Sequence, residues 1–391
     1  MPNKNRKIHV LFAMGSLGVG GAEQLIYTLA RSLPRDRFQV VVCTLFSRGE
    51  KPEPLADEIR SLGIRVDQLA MTRWRDFATM RQFLAIIDEE RIDIVHGHMV
   101  PADFWSCMLA KVGRRCKTLH TKHDLLPRSG RAMKIQRVLL ERFLSDRIVA
   151  ISDVVADHLV RDRGISARQV VKIPNPVDVE RFHPDVSGHT VREALGIPAD
   201  AVVIGNTSRF EKRKGYRLFL DIAKLVVARH ENVRFLAVGH GSERGYMEKQ
   251  VREAGLEEQI IITGPRRDIP EVIAAMDIFL FTSLWGEGFG IVLIEAMAAG
   301  KAVVSANVGP AGELLEDGTS GCLPAPETWV AETQYVNPEP FADQIEPLIT
   351  RPDERQKFGE AARRRAIELY STEAVAVQTE RVYREILEWT A

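Results

Sequence analysis

The chain has 391 residues, 45% of them hydrophobic and 27% charged, so it has enough apolar material for two or three domains. Its four cysteines show no CxxC spacing, which argues against a disulfide framework or a zinc site and favours a reduced, intracellular protein. No stretch approaches the roughly 20 apolar residues that a membrane-spanning helix needs. The composition therefore predicts a soluble or peripherally bound protein.

The formal net charge is zero, but the charges are unevenly distributed along the chain. Residues 1–190 contain 30 Lys and Arg against 22 Asp and Glu, so the remaining residues contain 23 against 31. Residues 111–147 alone hold 11 basic and 3 acidic residues, which is an excess of eight positive charges. Such a concentrated excess indicates an anionic partner, and we expect no nucleic acid among the partners.

The first half of the chain alternates predicted strands with predicted helices. Residues 7–14 predict a buried strand that ends in a glycine-rich loop, and a helix follows over 22–33. Helical patterns also lie over 77–89 and 132–144. This alternation is typical of a parallel sheet that is covered on both faces. The further strands predicted in this half are 38–46, 92–96, 116–120, 147–151 and 170–173.

The sequence Pro174-Asn175-Pro176 and the stretch up to Pro198 interrupt this alternation, which predicts a domain junction there. The alternation then restarts, and an irregular stretch over 325–340 precedes a largely helical one over 341–387. We therefore predict an α/β protein of two doubly wound, Rossmann-like domains facing a cleft, residues 1–183 and 184–373. The second half contains predicted strands at 201–205, 234–239, 260–263, 278–281 and 302–305, and helices at 216–230, 247–254 and 291–299.

Two glutamates separated by seven residues form the sharpest chemical signal. Glu287 lies in a glycine-flanked loop after a predicted strand, and Glu295 lies about one turn inside the following helix. Glycines let a ligand approach the backbone, and a helix N-terminus presents free N–H groups to phosphate or sugar oxygens. Glu295 would be costly to bury on this apolar helix without hydroxyl donors. By itself the pattern also fits an ordinary strand, loop and helix with a solvated glutamate.

This segment resembles the E-x7-E signature of retaining GT-B glycosyltransferases of family 4. Four further segments resemble other motifs of that family and occur in the family's order, so the resemblance covers roughly residues 8–321. The matching segments are 18–23 (the GG-A-E loop), 173–178 (the I-P-N hinge), 208–215 (the R-x4-K element), 284–300 (E-x7-E) and 308–313 (a glycine-rich turn).

The resemblance implies a GT-B fold, a nucleotide-sugar donor, and retention of configuration by a hexosyl-type transferase. Residues 1–183 would bind the acceptor, residues 184–373 would bind the donor, and the C-terminal helix (374–391) would pack back on the first domain. The family assigns catalytic roles to residues matching His120, Arg209, Lys214 and Glu287. It assigns donor-binding roles to those matching Gly20, Gly21, Arg209, Lys214, Arg266, Glu287, Gly288, Phe289, Gly290, Ile291 and Glu295.

In these roles Arg209 and Lys214 would contact the diphosphate and Glu295 the ribose. Glu287 and the amides that follow it would meet sugar hydroxyls and phosphate, and the backbone at Arg266 would meet the base. The sequence contains no Asp-x-Asp, and two cations can supply the charge that a metal supplies elsewhere, so we expect neither a metal nor another cofactor.

His120 matches a family histidine that positions the reacting sugar, and His123 is the rival for the same position. His96 and His98 end a neighbouring predicted strand, where they would contact the acceptor or serve as ordinary polar loop groups. Ser208 replaces the usual glycine before Arg209, and Pro176 replaces the glycine of the hinge.

Two other kinds of protein have to be weighed. The glycine loop does not follow G-x-G-x-x-G, and no acidic residue ends the second strand, which disfavours a Rossmann-type oxidoreductase. A non-catalytic two-domain sugar-binding protein would share a cleft, but it would have no need of the combined charged set named above. The roles of Trp285 and of the insertion at 325–340 stay open.

The basic stretch also suggests where the acceptor lies. Residues 111–147 combine the excess of positive charge with a predicted helix in which apolar residues and cations are interleaved at near-helical spacing. This is typical of an amphipathic helix on an anionic membrane surface. The apolar residues are Met133, Ile135, Val138, Leu139, Leu140, Phe143 and Leu144, and the cations are Arg131, Lys134, Arg137 and Arg142. The alternative is that the apolar residues are core and the basic ones their solvated face. We expect a cytoplasmic enzyme, peripheral on the inner face of the plasma membrane, with a glycan or lipid-linked acceptor of polysaccharide or lipopolysaccharide biosynthesis.

Overall fold

The computed structural model describes residues 6–18, 21–47, 53–72, 76–114, 116–123, 125, 131–324, 329–330 and 335–388. The chain divides into two compact units, residues 1–176 together with 372–391, and residues 177–371. Within these described ranges no helix is both long enough and apolar enough to cross a bilayer.

The division falls before the predicted boundary at 183/184, and hydrogen bonds explain the difference. The amide of Val177 donates to the carbonyl of Tyr370 at 2.7 Å, and Arg363 donates to the carbonyl of Phe182 at 3.2 Å. These bonds attach residues 177–183 to the last helix of the second unit. The interrupting prolines therefore mark the end of the first unit, and the segment after them already belongs to the second.

The first unit is built on a seven-stranded parallel sheet in the order β3-β2-β1-β4-β5-β6-β7. The central strands are continuous apolar runs because helices cover both faces of the sheet. Its strands are β1 (Ile8–Met14), β2 (Phe38–Thr44), β3 (Arg65–Gln68), β4 (Ile94–His98), β5 (Lys117–Lys122), β6 (Arg147–Ala150) and β7 (Val170–Lys172). Its helices are α1 (Gly21–Ser32), α2 (Pro54–Ser61), α3 (Phe77–Glu89), α4 (Ala102–Met108), α5 (Arg131–Leu139), α6 (Asp153–Asp157) and α15 (Thr372–Glu388). Wider π-turns continue three of these helices, over Leu109–Arg114 after α4, Leu140–Leu144 after α5 and His158–Asp162 after α6.

The last helix completes the core of the first unit. Val375, Val382 and Tyr383 of α15 are almost fully buried in the same apolar cluster as β1 and α1. The Tyr383 hydroxyl also lies 2.7 Å from Nδ1 of His96 in β4. Helix α15 is therefore an integral layer of this unit.

The second unit is built on a five-stranded parallel sheet in the order β10-β9-β8-β11-β12. A short antiparallel pair, β13 with β14, lies within the predicted insertion, of which residues 325–328 and 331–334 are outside the described residues. The strands are β8 (Val202–Thr207), β9 (Val233–Val238), β10 (Ile260–Thr263), β11 (Ile278–Phe281), β12 (Ala302–Ser305), β13 (Trp329–Val330) and β14 (Tyr335–Val336). The helices are α7 (His189–Ala194), α8 (Tyr216–Arg229), α9 (Arg244–Ala254), α10 (Ile269–Ala274), α11 (Ile291–Ala298), α12 (Ala311–Leu314), α13 (Glu339–Thr350) and α14 (Pro352–Tyr370).

In this second sheet the strand order reverses between β8 and β11. The next strand along the chain, β9, pairs with β8 on one side. The later strand β11 pairs with β8 on the other side. Ligands of doubly wound sheets bind at such a switch point, beyond the carboxyl ends of the strands. The loops that leave β8 and β11 carry the R-x4-K and E-x7-E elements, so the topology brings the two motifs together.

Candidate functional site

The loops after β8 and β11 are tied together by hydrogen bonds. The amide of Leu284 donates to the carbonyl of Arg213 at 2.7 Å, and the Thr282 hydroxyl donates to the carbonyl of Lys214 at 3.0 Å. Gly215, with a φ of +68°, allows this approach, since a Cβ there would lie 1.9 Å from the carbonyl oxygen of Thr282. The position of Lys214 is therefore fixed by the backbone on both sides of it.

Lys214 meets the first glutamate of the E-x7-E element. Its Nζ lies 2.6 Å from Oε2 of Glu287, and the Ser283 hydroxyl donates to the same oxygen at 3.0 Å. The Lys214 and Glu287 side chains are only 12% and 10% exposed, so their charges face each other largely shielded from water. A charge-assisted hydrogen bond in such a place holds the ammonium group in one orientation.

Glycines also fix the backbone of Glu287. Gly309 has a φ of +61°, and a Cβ there would lie 2.6 Å from the carbonyl oxygen of Glu287. Gly286 and Gly290, with φ values of +67° and +87°, turn the chain on either side of the glutamate. The glycines of this segment and of the later turn are thus required by backbone conformation and close contact.

Arg209 lies at the same end of the sheet but is far more exposed. Its side chain is 61% exposed and pairs with Oε1 of Glu211 at 2.8 Å, while Arg213 Nε donates to Oε2 of Glu211 at 2.9 Å. Ser208 departs from the family pattern. Its hydroxyl lies 3.0 Å from the hydroxyl of the buried Tyr216. Arg209 is therefore a solvent-accessible cation on an anchored loop.

Glu295 is half-buried in the middle of α11. Its carboxylate makes no hydrogen bond within the described part of the chain. Burial raises the pKa of this carboxyl to about 7, and the positive charge of Arg181 opposes the rise. A carboxyl in this state has unused hydrogen-bonding capacity, which hydroxyl groups of a ligand can satisfy.

The other predicted donor-binding residues of this unit lie around the start of α11, except one. Gly288, Phe289, Gly290 and Ile291 form the loop and the first residue of the helix, and the Phe289 ring packs edge-on against Tyr370. Arg266 instead follows β10 at the edge of the sheet, where its side chain is paired with both carboxylate oxygens of Asp268.

In the first unit, the structure describes one of the two predicted donor-binding glycines. Gly20 lies outside the described residues, and Gly21 is the first residue of α1.

The structure places His120 inside β5, where it is 2% exposed. Its Nδ1 lies 2.7 Å from the Ser145 hydroxyl. Burial holds the pKa of His120 well below its usual range, and the nearby Lys122 adds to the effect. The side chain is therefore a neutral imidazole held in place by a serine.

His96 and His98 at the end of β4 are also buried. The rings stack with centroids 4.3 Å apart, and Nε2 of His96 lies 2.8 Å from the Thr121 hydroxyl. Nδ1 of His98 lies 3.2 Å from Nε2 of His123, while the buried Nε2 of His98 has no hydrogen-bond partner among the residues that the structure describes. Burial lowers the pKa of His96 to about 3. Among the described residues, no three His, Cys, Asp or Glu side chains are grouped as metal ligands.

Sequence reasoning missed Ser283 and the buried Asp103 of α4. Ser283 lies four residues before Glu287 in the same loop, so its nearness to the glutamate was the available signal. Asp103 is an isolated acid in an apolar helix, a pattern that does not reveal the cations packed around it. Trp285, which was left without a role, is half-buried against the apolar core of the second unit.

Comparisons with known proteins agree with these motifs. Residues 19–181 match the family described as Glycosyltransferase Family 4, and residues 189–365 match the one described as Glycosyl transferases group 1. The UDP-Gal:alpha-D-GlcNAc-diphosphoundecaprenol alpha-1,3-galactosyltransferase of Escherichia coli is 21% identical over 333 residues, which are 83% of this chain and 85% of that protein. The D-inositol 3-phosphate glycosyltransferase of Saccharomonospora viridis is 30% identical over 301 residues, 70% of this chain and 66% of that protein.

The structure of HepE from Anabaena in complex with UDP superposes on this chain with a TM-score of 0.80. It is 23% identical and the superposition covers 97% of this chain and 100% of that one, so the similarity extends over both units. Both domains thus have the predicted Rossmann-like form, and the motifs occupy the strand ends at which this fold binds ligands. This chain belongs to glycosyltransferase family 4 and has the GT-B fold.

Proposed function

We propose that this chain transfers a hexosyl group from a nucleoside diphosphate sugar to a glycan or lipid-linked acceptor, without a metal and with retention of configuration. The observation that carries the proposal is the contact between Lys214 and Glu287 at the β8–β11 switch point, with Arg209 exposed beside it. Arg209 is accessible from solvent and the Lys214 ammonium group is held in place. This pair suits a ligand whose phosphate enters from solvent and then contacts Lys214.

In the proposed reaction the bond between the anomeric carbon and the β-phosphate oxygen breaks, and its electron pair goes to that oxygen. Lys214 and Arg209 stabilise the charge that grows on the diphosphate, as preorganised donors do in other enzymes. The acceptor hydroxyl attacks the same face of the sugar, and its proton passes to the departing phosphate oxygen. Glu295 accepts hydrogen bonds from the ribose hydroxyls, and His120 contributes to positioning the sugar.

The environment of Glu287 supports attack from the same face over a covalent glycosyl-enzyme. A nucleophilic carboxylate must present an oxygen to the anomeric carbon. Oε2 of Glu287 is engaged by both Lys214 and Ser283, an arrangement that suits an orienting group better than a nucleophile. Proton NMR of the first-formed product tests retention, which both routes share, since retention requires the anomeric configuration of the donor to be preserved. An inverted product would refute it.

A panel of UDP-, GDP- and ADP-sugars tests the donor class. We expect one nucleotide family to raise the thermal unfolding midpoint and to be hydrolysed slowly in the absence of acceptor. Uridine is our first choice, since the Escherichia coli relative is named for UDP-Gal and the Anabaena structure contains UDP. Absence of stabilisation and hydrolysis across the whole panel would count against a transferase.

We further propose a phosphorylated, lipid-linked acceptor of cell-envelope polysaccharide or lipopolysaccharide biosynthesis, used at the cytoplasmic face of the membrane. The Escherichia coli relative is named for an acceptor carried on diphosphoundecaprenol, and the Saccharomonospora relative for a phosphorylated inositol. A surface of the first unit supports the membrane part of this proposal.

That surface lies along α5 and the π-turn that continues it. Its apolar side chains face solvent and not the core. Ile135, Leu139 and Phe143 are spaced four residues apart and are 52%, 40% and 65% exposed, so they form one apolar ridge. Lys134 and Arg142 lie exposed on the adjacent line of side chains. The alternative in which all the apolar residues of this helix are core is therefore wrong for these three. Apolar side chains flanked by cations fit an anionic bilayer surface.

Vesicle co-sedimentation with Phe143→Ser tests this surface. Phe77→Ser is a matched control, because Phe77 of α3 is 69% exposed but lies beside Asp76. We expect the wild type to bind vesicles of phosphatidylglycerol more strongly than those of phosphatidylcholine, and less strongly at high salt. Phe143→Ser should weaken binding and Phe77→Ser should not. Negligible binding of the wild type to both lipids at all salt concentrations would refute the membrane proposal and leave the transferase proposal intact.

A further inference from the structure

The inward face of the same helix carries charged side chains beside the buried Leu140. Arg137 is 8% exposed and Glu141 is 1% exposed, whereas the apolar ridge on the opposite side is open to solvent. Long charged side chains are rarely buried in this way unless they are paired. The partners of these two residues therefore indicate what the buried face is for.

Glu141 has its own partners. Arg163 donates to Oε2 of Glu141 through two nitrogens, at 2.9 and 3.2 Å, and Nζ of Lys122 lies 3.7 Å from Oε1. Two cations therefore lie near this carboxylate, although Oε1 makes no hydrogen bond within the described residues.

Arg137 has no such partner. Within the described part of the chain its guanidinium makes no hydrogen bond and no ion pair, and its Nε is shielded from solvent. A buried cation without a partner leaves its desolvation penalty uncompensated. These are the properties expected of a cation that binds an anionic ligand.

Asp103 of α4 is within electrostatic reach of Arg137, but it is poorly suited to be that anion. One carboxylate oxygen of Asp103 accepts a hydrogen bond from the amide of Phe104 at 2.7 Å. Burial raises the pKa of Asp103 to about 7, although Lys122 and Arg137 both act to lower it. Among the described residues, the cluster contains the cations Lys122, Arg137 and Arg163 and the acids Glu141 and Asp103.

The cluster also lies at the end of the sheet where doubly wound folds bind ligands. Lys122 is the last residue of β5, and in the neighbouring strand His98, paired with Thr121, ends β4. Within the described residues, the ring nitrogen Nε2 of His98 is a second buried nitrogen of this unit without a hydrogen-bond partner. Together with Arg137 it points to a ligand near the carboxyl ends of β4 and β5.

We propose that Arg137, assisted by Lys122, binds a phosphate group of the acceptor within the first unit. The identity of this phosphate as part of the acceptor rests on the function proposed above, but its binding by Arg137 does not. The planar guanidinium can donate two parallel hydrogen bonds to phosphate oxygens, which a lysine cannot reproduce. Phosphate binding would supply the partner that Arg137 lacks among the described residues.

Arg137→Met removes the charge and keeps most of the volume of the side chain. Arg161→Met is the matched control, since Arg161 belongs to the same unit but is 76% exposed and pairs with Asp157. Inorganic phosphate is the probe, and all proteins carry Lys214→Ala so that phosphate in the donor site does not contribute. The measurement is the thermal unfolding midpoint with and without phosphate, with chloride at equal ionic strength as reference.

Without phosphate we expect Arg137→Met to unfold at the same temperature as the Lys214→Ala parent or higher, because it removes an uncompensated buried charge. Phosphate should raise the midpoint of the parent and of the Arg161→Met control, but not that of Arg137→Met. Arg137→Lys should retain only a fraction of the phosphate effect. A midpoint for Arg137→Met several degrees below the parent would assign Arg137 a structural role and overturn the proposal, as would an undiminished phosphate effect.

Two further measurements, in the chain with Lys214 intact, separate this proposal from the others. With a phosphorylated acceptor, Arg137→Met should raise the KM for acceptor at least ten-fold and leave donor hydrolysis by water unchanged. Its binding to phosphatidylglycerol vesicles should equal that of the wild type. Loss of vesicle binding with an intact phosphate effect would make Arg137 a membrane-contact charge and refute the site. If no acceptor is ever glycosylated, the proposed function fails while the phosphate result is still decisive for Arg137.

Discussion

Lys212 and Lys214 lie two residues apart in the same short 3₁₀ turn, yet only Lys214 is directed at Glu287. We predict that Lys214→Ala lowers the rate of sugar transfer on the order of 10²–10³-fold, the usual effect of losing one preorganised charge contact. Lys212 is exposed, so Lys212→Ala is a control of the same chemistry and the same turn. The rate of transfer at saturating donor measures both variants.

Circular dichroism of Lys214→Ala must show an intact fold, because the substitution also leaves Glu287 with Ser283 as its remaining partner. Equal losses in the two lysine variants, or near-normal turnover in Lys214→Ala, would mean that this ammonium does not act on the diphosphate.

Glu295 makes a prediction about pH. Burial raises its pKa from 4.5 to about 7, so between these values the native protein holds a proton that the unfolded chain has released. Stability from this group is therefore present at low pH and is lost as the pH rises through about 7. The glutamine side chain of Glu295→Gln cannot ionise, so this variant does not lose stability through this group as the pH rises. The unfolding midpoint of the variant relative to the wild type should increase from pH 5 to pH 8, and parallel pH profiles would contradict the shift.

At the residue scale, the sequence identified charged groups better than their environments. Lys214 and Glu287 were predicted as members of separate motifs, and the strand order of the second unit brings them to 2.6 Å. The sequence did not reveal that His120 is held by Ser145, 25 residues away, or that Arg137 is buried. Burial and pairing depend on contacts between distant segments, which periodicity does not encode.

At the scale of elements, Gly215 and Gly255 provide a matched pair. Both have left-handed backbones, with φ of +68° and +65°, but a Cβ at Gly255 meets nothing within 4 Å. Gly255→Ala should therefore lose only about 1–2 kcal/mol of unfolding free energy to backbone strain. Gly215→Ala must also separate the loops after β8 and β11, so we predict a clearly larger loss and a large fall in transfer rate. Denaturant unfolding measures the loss of unfolding free energy in both variants. Equal losses would show that the contact between the loops after β8 and β11 does not stabilise the fold.

The predicted elements follow the strength of their apolar patterns. Strands β10, β11 and β12 have the predicted bounds because each is a short apolar run. β3 was not predicted, since its four residues Arg-Val-Asp-Gln are mostly polar and lie at the sheet edge, where Arg65 pairs with Asp67 and Glu90. The helix after β5 was predicted from a regular pattern, but the pattern could not tell which of its faces is turned inward.

At the scale of the whole molecule, the absence of Asp-x-Asp from the sequence and the pair of cations at the switch point lead to a prediction about metals. We expect transfer to continue unchanged in excess EDTA, because in the proposed reaction Lys214 and Arg209 would supply the positive charge at the diphosphate. The assay measures product formed from the correct donor with EDTA and with added Mg²⁺ or Mn²⁺. Complete loss of transfer in EDTA that either metal reverses would refute metal independence.

Helix α15 has a consequence for the order in which the chain folds. The first unit takes its buried Tyr383 from α15, which is joined to the rest of that unit only through residues 177–371. The second unit is continuous in sequence, so it can complete its core once residues 177–371 have left the ribosome. The seven strands of the first unit are made earlier but must wait for α15 with an apolar face uncovered. During synthesis, the half of the protein that is made first is therefore the last to be finished, and it is the half that most needs protection from aggregation.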